Sequence, residues 1–477
     1  MPAFNSSFAL TAEQIQRANL SDAQATNLNQ IINFDRSQLA NGGPYQDAFY
    51  TLPPLSNNAT TPPPPPGTLL KAQAFTDPTP FSLPANTALS RILYATTDIN
   101  GTVVPTSAFI LWPFQPRRQP SSSGAAAAAQ TVVWAHGTSG FTPLNAPSAH
   151  RALWYGDSGP FALAQAGYAV VAPDYAGLGV GASWDGIPIA HQYLVLPAGA
   201  RDSLYALRAA RAAFPGSLGD AFAVAGHSQG GGVAWSVAEL LATAPGSNPG
   251  ENSDNDEFAD LRAGFLGSVA GSPTTDMSGG LGDLVVPRVA LMLKSIFPDF
   301  DPAAWLTPLG VARLALFGAI EGGISASLQL FPTDAGEQLF KPDYADTWYV
   351  NAYVNIAKAG RRPLGGPVLV VQGTEDPGVF YNVTAATVRD TCAQYPESDI
   401  EFLVGNGMHH VASFDATRYM WLKWIESRFE GKPLEKSGCT RTEVDSFLPL
   451  EQYLTTSHSF PQWAGTTEWS YEVPLGI

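Results

Sequence analysis

Two cysteines, Cys392 and Cys439, are all that 477 residues carry. A pair can close one disulfide, but it cannot staple a disulfide framework or supply a cysteine-rich metal site. Charge is scarce as well. Asp, Glu, Lys and Arg make up 14% of the chain, with 25 basic against 41 acidic residues and a net charge of −16. An acidic, charge-poor chain offers no basic surface to phosphate backbones or anionic membranes, which argues against nucleic acid as a partner. No apolar run reaches 18 residues, so no transmembrane segment is expected. The opening residues, MPAFNSSFALTAEQ, lack the basic start and apolar centre of a signal peptide.

What is plentiful is glycine (45), proline (40) and hydrophobic residues (45%), the composition of a large ordered globular protein. Five Asn-x-Ser/Thr sequons stand at Asn5, Asn19, Asn58, Asn100 and Asn382. With the cysteine pair, which could form one disulfide, they favour a secreted protein in mature form with an added methionine; a cytosolic protein is the alternative.

Taken in order, residues 1–66 read as an arm wrapped on the outside, helical and polar over Thr11 to Leu39 and extended at the proline run Pro62 to Pro66. Leu69 to Phe75, Ser90 to Thr96 and Ser107 to Pro113 are expected to be antiparallel strands at a sheet edge. Gln119 to Gln130, with three serines and five consecutive alanines, reads as a surface connection. From Thr131 apolar strands alternate with helices, the mark of a parallel sheet: Thr131 to Ala135, Tyr168 to Pro173, Phe222 onward, Ala263 to Gly271, Pro367 to Gln372, and Asp399 to Val404 as the last. Ala200 to Ala213 is an amphipathic helix and Phe414 to Phe429 a closing one. Residues 276–355 hold apolar helical runs too long for a loop, and read as a helical cap inserted in a core of 67–275 and 356–431. Residues 432–477 read as an irregular aromatic tail or flap. The fold class expected is α/β, a mostly parallel sheet flanked by helices.

One stretch organises the rest. Phe222 to Val233 reads FAVAGHSQGGGV, a buried strand turning at Gly226-His227-Ser228-Gln229-Gly230 into an apolar helix. This is a G-x-S-x-G nucleophile elbow in its strand–turn–helix setting. Any Cβ at the flanking glycines would collide with neighbours, and the helix start offers free N–H groups to an oxyanion. A serine nucleophile also needs a base, an orienter for that base and oxyanion donors, in the chain order Ser, acid, His. Asp376 in Gly373-Thr-Glu-Asp376, just past a buried strand, is preferred to Glu375 as the orienter. Met408-His409-His410 follows the last strand and supplies the base, and the residues themselves barely separate the two histidines. No third ligand lies at a useful spacing, so neither a metal nor any cofactor is expected. The Gln229 N–H is one oxyanion donor, and Thr138 or Gly137 is the other. His136, Asp174 and Asp202 read as structural.

Together TVVWAHGTSG, YAVVAPDYAGLG, ARDSLYALRAAR, GHSQGG, VAGSPTTD, VLVVQGTEDPGV and WLKWIESRFEGKP resemble the secretory lipases of fungi and bacteria, from near Phe49 to about Pro433. The resemblance implies an α/β-hydrolase core with a helical cap or lid, and a serine carboxylic-ester hydrolase, lipase or esterase, acting on triacylglycerols or smaller esters. It also implies a possible lipid–water interface as the place of action. It puts the nucleophile on Ser228 and the acid on Asp376, and the spacing to Arg428-Phe429-x-Gly431 favours His410 over His409. Relatives often carry cysteine where Asn145 stands, so a family disulfide is expected to be missing. The rival readings are an acyltransferase or peptidase with the same triad, and a non-catalytic binding module, which would predict a degraded triad.

Overall fold

A computed structural model describes residues 6–55, 62–119, 127–242, 256–278, 281–282, 284–332, 336, 338–449 and 452. The sequons at Asn5 and Asn58, and the tail beyond residue 452, lie outside the described residues. Among those residues eleven strands form one sheet: β1 (Leu69–Gln73), β2 (Thr87–Thr97), β3 (Val103–Pro113), β4 (Arg118–Gln119), β5 (Ala128–Ala135), β6 (Ala169–Pro173), β7 (Leu218–His227), β8 (Phe265–Gly271), β9 (Val368–Gly373), β10 (Ile400–Gly405) and β11 (Cys439–Val444). Their spatial order is β1-β2-β3-β6-β5-β7-β8-β9-β10-β11, with β4 paired to β5. The edge from β1 through β3 to β6 is antiparallel, and every pair from β6 through β5 to β11 is parallel. The expected α/β class is what forms.

The parallel strands from β5 to β10 are mostly apolar because both faces are covered. Side chains alternate between faces with period two. Val132, Trp134, Ala223 and Ala225 pack on one side with the helices Pro160–Gln165 and Arg418–Phe429. Val133, Ala135, Phe222 and Val224 pack on the other with Leu196–Ala213 and Gln229–Leu240. A third apolar cluster has no strand in it. Leu28, Ile31 and Ile32 of the helix Asp22–Ser37 join the helices Val286–Met292, Pro308–Ile320, Ile324–Leu330 and Trp348–Ala357, and the cluster reaches Phe141 and Tyr193 on loops above the sheet.

Three expectations change. The tail is not irregular throughout: β11 pairs in parallel register with β10, Ile400 opposite Cys439, so β10 is not the last strand. Alternation was hidden there because β11 is half exposed and its residues, CTRTEV, are mostly polar. The Cys392–Cys439 disulfide ties it to the helix Tyr381–Gln394. The closing helix is two, His410–Ala416 and Arg418–Phe429, broken at Thr417. The connection after Gln119 is shorter than expected, since β5 already begins at Ala128. No helix of the described residues is long and apolar enough to cross a membrane.

Candidate active site

β7 ends at His227, and the helix Gln229–Leu240 begins two residues later. Ser228 between them has φ 60° and ψ −121°. A side chain held there costs on the order of 1–3 kcal/mol and persists only where its surroundings enforce it. They do. Ser228 N–H donates to Gly271 O on β8 (2.8 Å), while Ser228 O accepts from Gly232 N–H (3.1 Å) and Thr274 N–H (3.2 Å). A Cβ on Gly226 would stand 2.8 Å from Ala135 O, and one on Gly230 would fall inside that oxygen's contact radius. The turn is therefore pressed against the end of β5, and the flanking glycines are steric requirements.

Asp376 lies past the end of β9 with its side chain fully buried. Its Oδ2 accepts from His410 Nδ1 (2.8 Å) and Gln372 Nε2 (2.9 Å), and its Oδ1 from the N–H groups of Gly378 (2.9 Å) and Val379 (2.8 Å). Burial by itself would raise this carboxyl, but the charge of His410 and the hydrogen bonds from His410, Val379 and Gly378 outweigh it and hold Asp376 below the usual carboxylate range. Glu375, the alternative acid, is exposed. His409 immediately precedes the helix that His410 begins, without a side-chain capping hydrogen bond, and it is His410 that turns to Asp376.

His227, next to Ser228, links the two halves. Its Nε2 donates to His410 O (2.9 Å), its Nδ1 accepts from Tyr155 OH (3.2 Å), and the His227 and His410 rings lie 4.6 Å apart. Burial, then the neighbouring His410, lowers the His227 pKa to about 3, so the ring is neutral. The Asp376–His410 pair thus lies at the end of the sheet where β7 delivers Ser228, with His227 in contact with His410.

Thr138 and Gly137 follow β5, the strand beside β7. Thr138 Oγ1 sits 3.4 Å from Gln229 Oε1 and 3.1 Å from Tyr193 OH, and Trp154 Nε1 donates to Thr138 O (3.1 Å). Gln229 Nε2 approaches His191 Nε2 (3.2 Å). The loop at 138 and the head of the elbow helix are therefore neighbours. A Cβ on Gly137 would meet Tyr155 OH at 2.6 Å. The structural readings of three polar residues fit their contacts. His136 is buried between Gly137 O and Asp174 O, Asp174 accepts from Ser107 and Ser148, and Asp202 accepts from Thr96 Oγ1 and Ala176 N–H.

Sequence reasoning missed Gln372, whose contacts with Asp376 and Thr384 depend on side-chain direction, and Tyr155 and His191, whose contacts with His227 and Gln229 join distant segments. Asn145, where the resemblance expects a lost cysteine, closes its own turn, its Oδ1 accepting from Phe141 N–H, Thr142 N–H and Thr142 Oγ1. Asn19, Asn100 and Asn382 are exposed, but the sequon hydroxyl of Thr384 is buried and donates to Gln372 Oε1 (2.9 Å). Among the described residues no three His, Cys, Asp or Glu side chains are grouped to hold a metal ion.

The sequence model of the alpha/beta hydrolase family matches residues 132–418, more than half of the chain and the stretch that carries Ser228, Asp376 and His410. The chain belongs to the alpha/beta hydrolase family. Solved structures of similar fold include Candida antarctica lipase A in its closed state, at 17% identity and TM-score 0.61 over 85% of this chain and 90% of that one. The rice cell wall degrading esterase LipA from Xanthomonas oryzae follows at 16% and 0.53, over 77% and 97%. A putative hydrolase from Legionella pneumophila stands at 17% and 0.55, over 74% and 92%. At such identities the likeness is one of fold. No curated protein matches the chain in sequence. Ser228, Asp376 and His410 follow the ends of β7, β9 and β10 in this chain.

Proposed function

We propose that the chain is a serine carboxylic-ester hydrolase, a lipase or esterase acting on acyl esters from triacylglycerols to smaller substrates. The observation that carries the reading is the His410–Asp376 hydrogen bond beside a serine held in strained backbone at the elbow. His410 takes the Ser228 Oγ proton on Nε2 while its Nδ1–H stays on Asp376, which fixes the tautomer and stabilises the imidazolium. The Ser228 oxygen forms a bond to the ester carbonyl carbon, and the C=O pair moves onto oxygen. That oxyanion takes hydrogen bonds from the Gln229 N–H and from Thr138 or the Gly137–Thr138 backbone. Collapse expels the alcohol, which receives the proton from His410. Water, deprotonated by the same His410, then releases the acid and restores Ser228.

In this reading 67–275 and 356–431 form the catalytic core, 276–355 is a cap over it, 1–66 an arm and 432–477 a tail. Support for the cap comes from the third apolar cluster, in which the arm and the 286–357 helices meet Phe141 and Tyr193 next to Thr138. Such a cover would select acyl length and act at a lipid–water interface. The disulfide supports a secreted protein, since such bonds persist in oxidising compartments.

Ser228→Ala should lower the turnover of p-nitrophenyl esters by about 10⁴–10⁶-fold and abolish labelling by a fluorophosphonate. A variant that keeps most of its activity would sink the assignment.

A further inference from the structure

Beside the proposed oxyanion loop lies a second polar site that the mechanism does not use. Three chain segments enclose it: the helix Asp22–Ser37, the loop after β5, and the start of the helix Ile324–Leu330. Each contributes one buried polar atom without a hydrogen-bond partner in the protein, namely Asp35 Oδ2, Ser139 Oγ and Ser325 Oγ. Ser139 is 5% exposed and Ser325 3%, so bulk water does not serve them. Buried polar side chains are normally paired, and three unpaired ones around one cavity, from segments far apart in sequence, mark a place built to be filled by polar matter. Burial pushes the Asp35 carboxyl up to about 7, despite the Gly323 N–H and the nearby Arg36 charge that lower it.

The chemistry of the walls restricts the occupant. Two hydroxyls can each donate and accept, and a carboxyl accepts, so a ligand must present several groups that do both. Arg36 lines the cavity together with two acids, Asp35 and Glu321, so neither a lone cation nor an anion suits it, and Ile32, Leu39 and Ile324 add apolar walls. The cavity volume of about 40 Å³ is room for about three waters. That admits a molecule of a few heavy atoms and excludes a sugar ring or an acyl chain. We propose that this cavity is a binding site for a small neutral polyhydroxy alcohol of glycerol size, held by Asp35, Ser139 and Ser325. Its occupant would touch the catalytic loop, since Ser139 follows Thr138 and Trp154, another wall, donates to Thr138 O.

Binding is read without reference to activity, so a failure of the ester-hydrolase reading would leave this result standing. Ligand-observed NMR on the full chain should show saturable binding of glycerol, and at least ~10-fold weaker binding of 1-propanol, which has similar length and one hydroxyl, given the hydrogen bonds it forgoes. Ser139→Ala with Ser325→Ala should weaken glycerol at least ~10-fold and leave 1-propanol unchanged. A crystal grown in glycerol should place its oxygens on the three named atoms. Equal affinity for the two alcohols in the unaltered protein, or a cavity filled by water alone in that crystal, would overturn the proposal whether or not the double variant folds.

Discussion

Gln372 Nε2 donates to Asp376 Oδ2 at 2.9 Å, while Gln372 Oε1 accepts from Thr384 Oγ1 at 2.9 Å. The fully buried amide therefore pins one face of the carboxylate whose other contacts are His410 and two backbone N–H groups. Gln372→Leu removes a hydrogen bond to a charged acceptor, worth about 1.5–3 kcal/mol. Under the proposed mechanism kcat should fall by at least ~10-fold, with KM for a p-nitrophenyl ester nearly constant, because the loss acts through His410. A change confined to KM would show that Gln372 acts on substrate binding instead.

Asp376→Asn keeps the shape of the turn but removes the charge and invites the wrong His410 tautomer. A loss of about 10⁴-fold in kcat is expected, as for the same change in another serine triad. The pH dependence of stability follows as well. The folded carboxyl titrates below its ordinary range, so its contribution is present above the unfolded pKa near 4 and is lost as pH falls through the lower folded value. The Tm advantage of the parent over Asp376→Asn should thus be full at pH 6 and shrink toward pH 2. A gap that widens in acid would contradict the hydrogen-bonding account.

Asp202 provides the opposite sign. Burial raises its carboxyl to about 7 against the hydrogen bonds of Thr96 and Ala176. The stability it lends as a neutral acid is complete below the unfolded pKa and lost as pH rises through the folded one. Asparagine can meet both partners without a charge. Asp202→Asn should therefore gain in Tm relative to the parent between pH 5 and pH 8. Parallel Tm curves over that range would refute a raised carboxyl.

Gly230→Ala should cost at least about 3 kcal/mol of stability, because the added methyl meets the Ala135 carbonyl of a central strand that cannot retreat. Gly101→Ala is the control. Its φ of 83° penalises a side chain by about 1–2 kcal/mol, yet nothing lies within 4 Å of the new Cβ. Urea unfolding of both variants should rank them in that order, and equal midpoints would mean the elbow is looser than its contacts imply.

Much of the fold was legible because its strands are buried on both faces and leave uninterrupted apolar runs such as Val132 to Ala135 and Val368 to Val371. β11 was not, since an edge strand lying half in solvent carries no such pattern. At the site, the elbow glycines and the acid turn announce themselves locally. The choice between His409 and His410 does not, because adjacent residues share every local signal and differ only in the direction the backbone gives them at a helix start.

Residue order by itself determined the alternation of strand and helix, the strained serine turn and the place of Asp376 just past β9, each of which depends on neighbours a few positions away. Tertiary structure alone decided that Gln372 holds Asp376, that His227 bridges the elbow to His410, and that Asp35, Ser139 and Ser325 surround one cavity. Those contacts join segments tens to hundreds of residues apart or turn on side-chain direction, and hydrogen bonds need positions good to a few tenths of an ångström, which only the packed sheet and its helices supply.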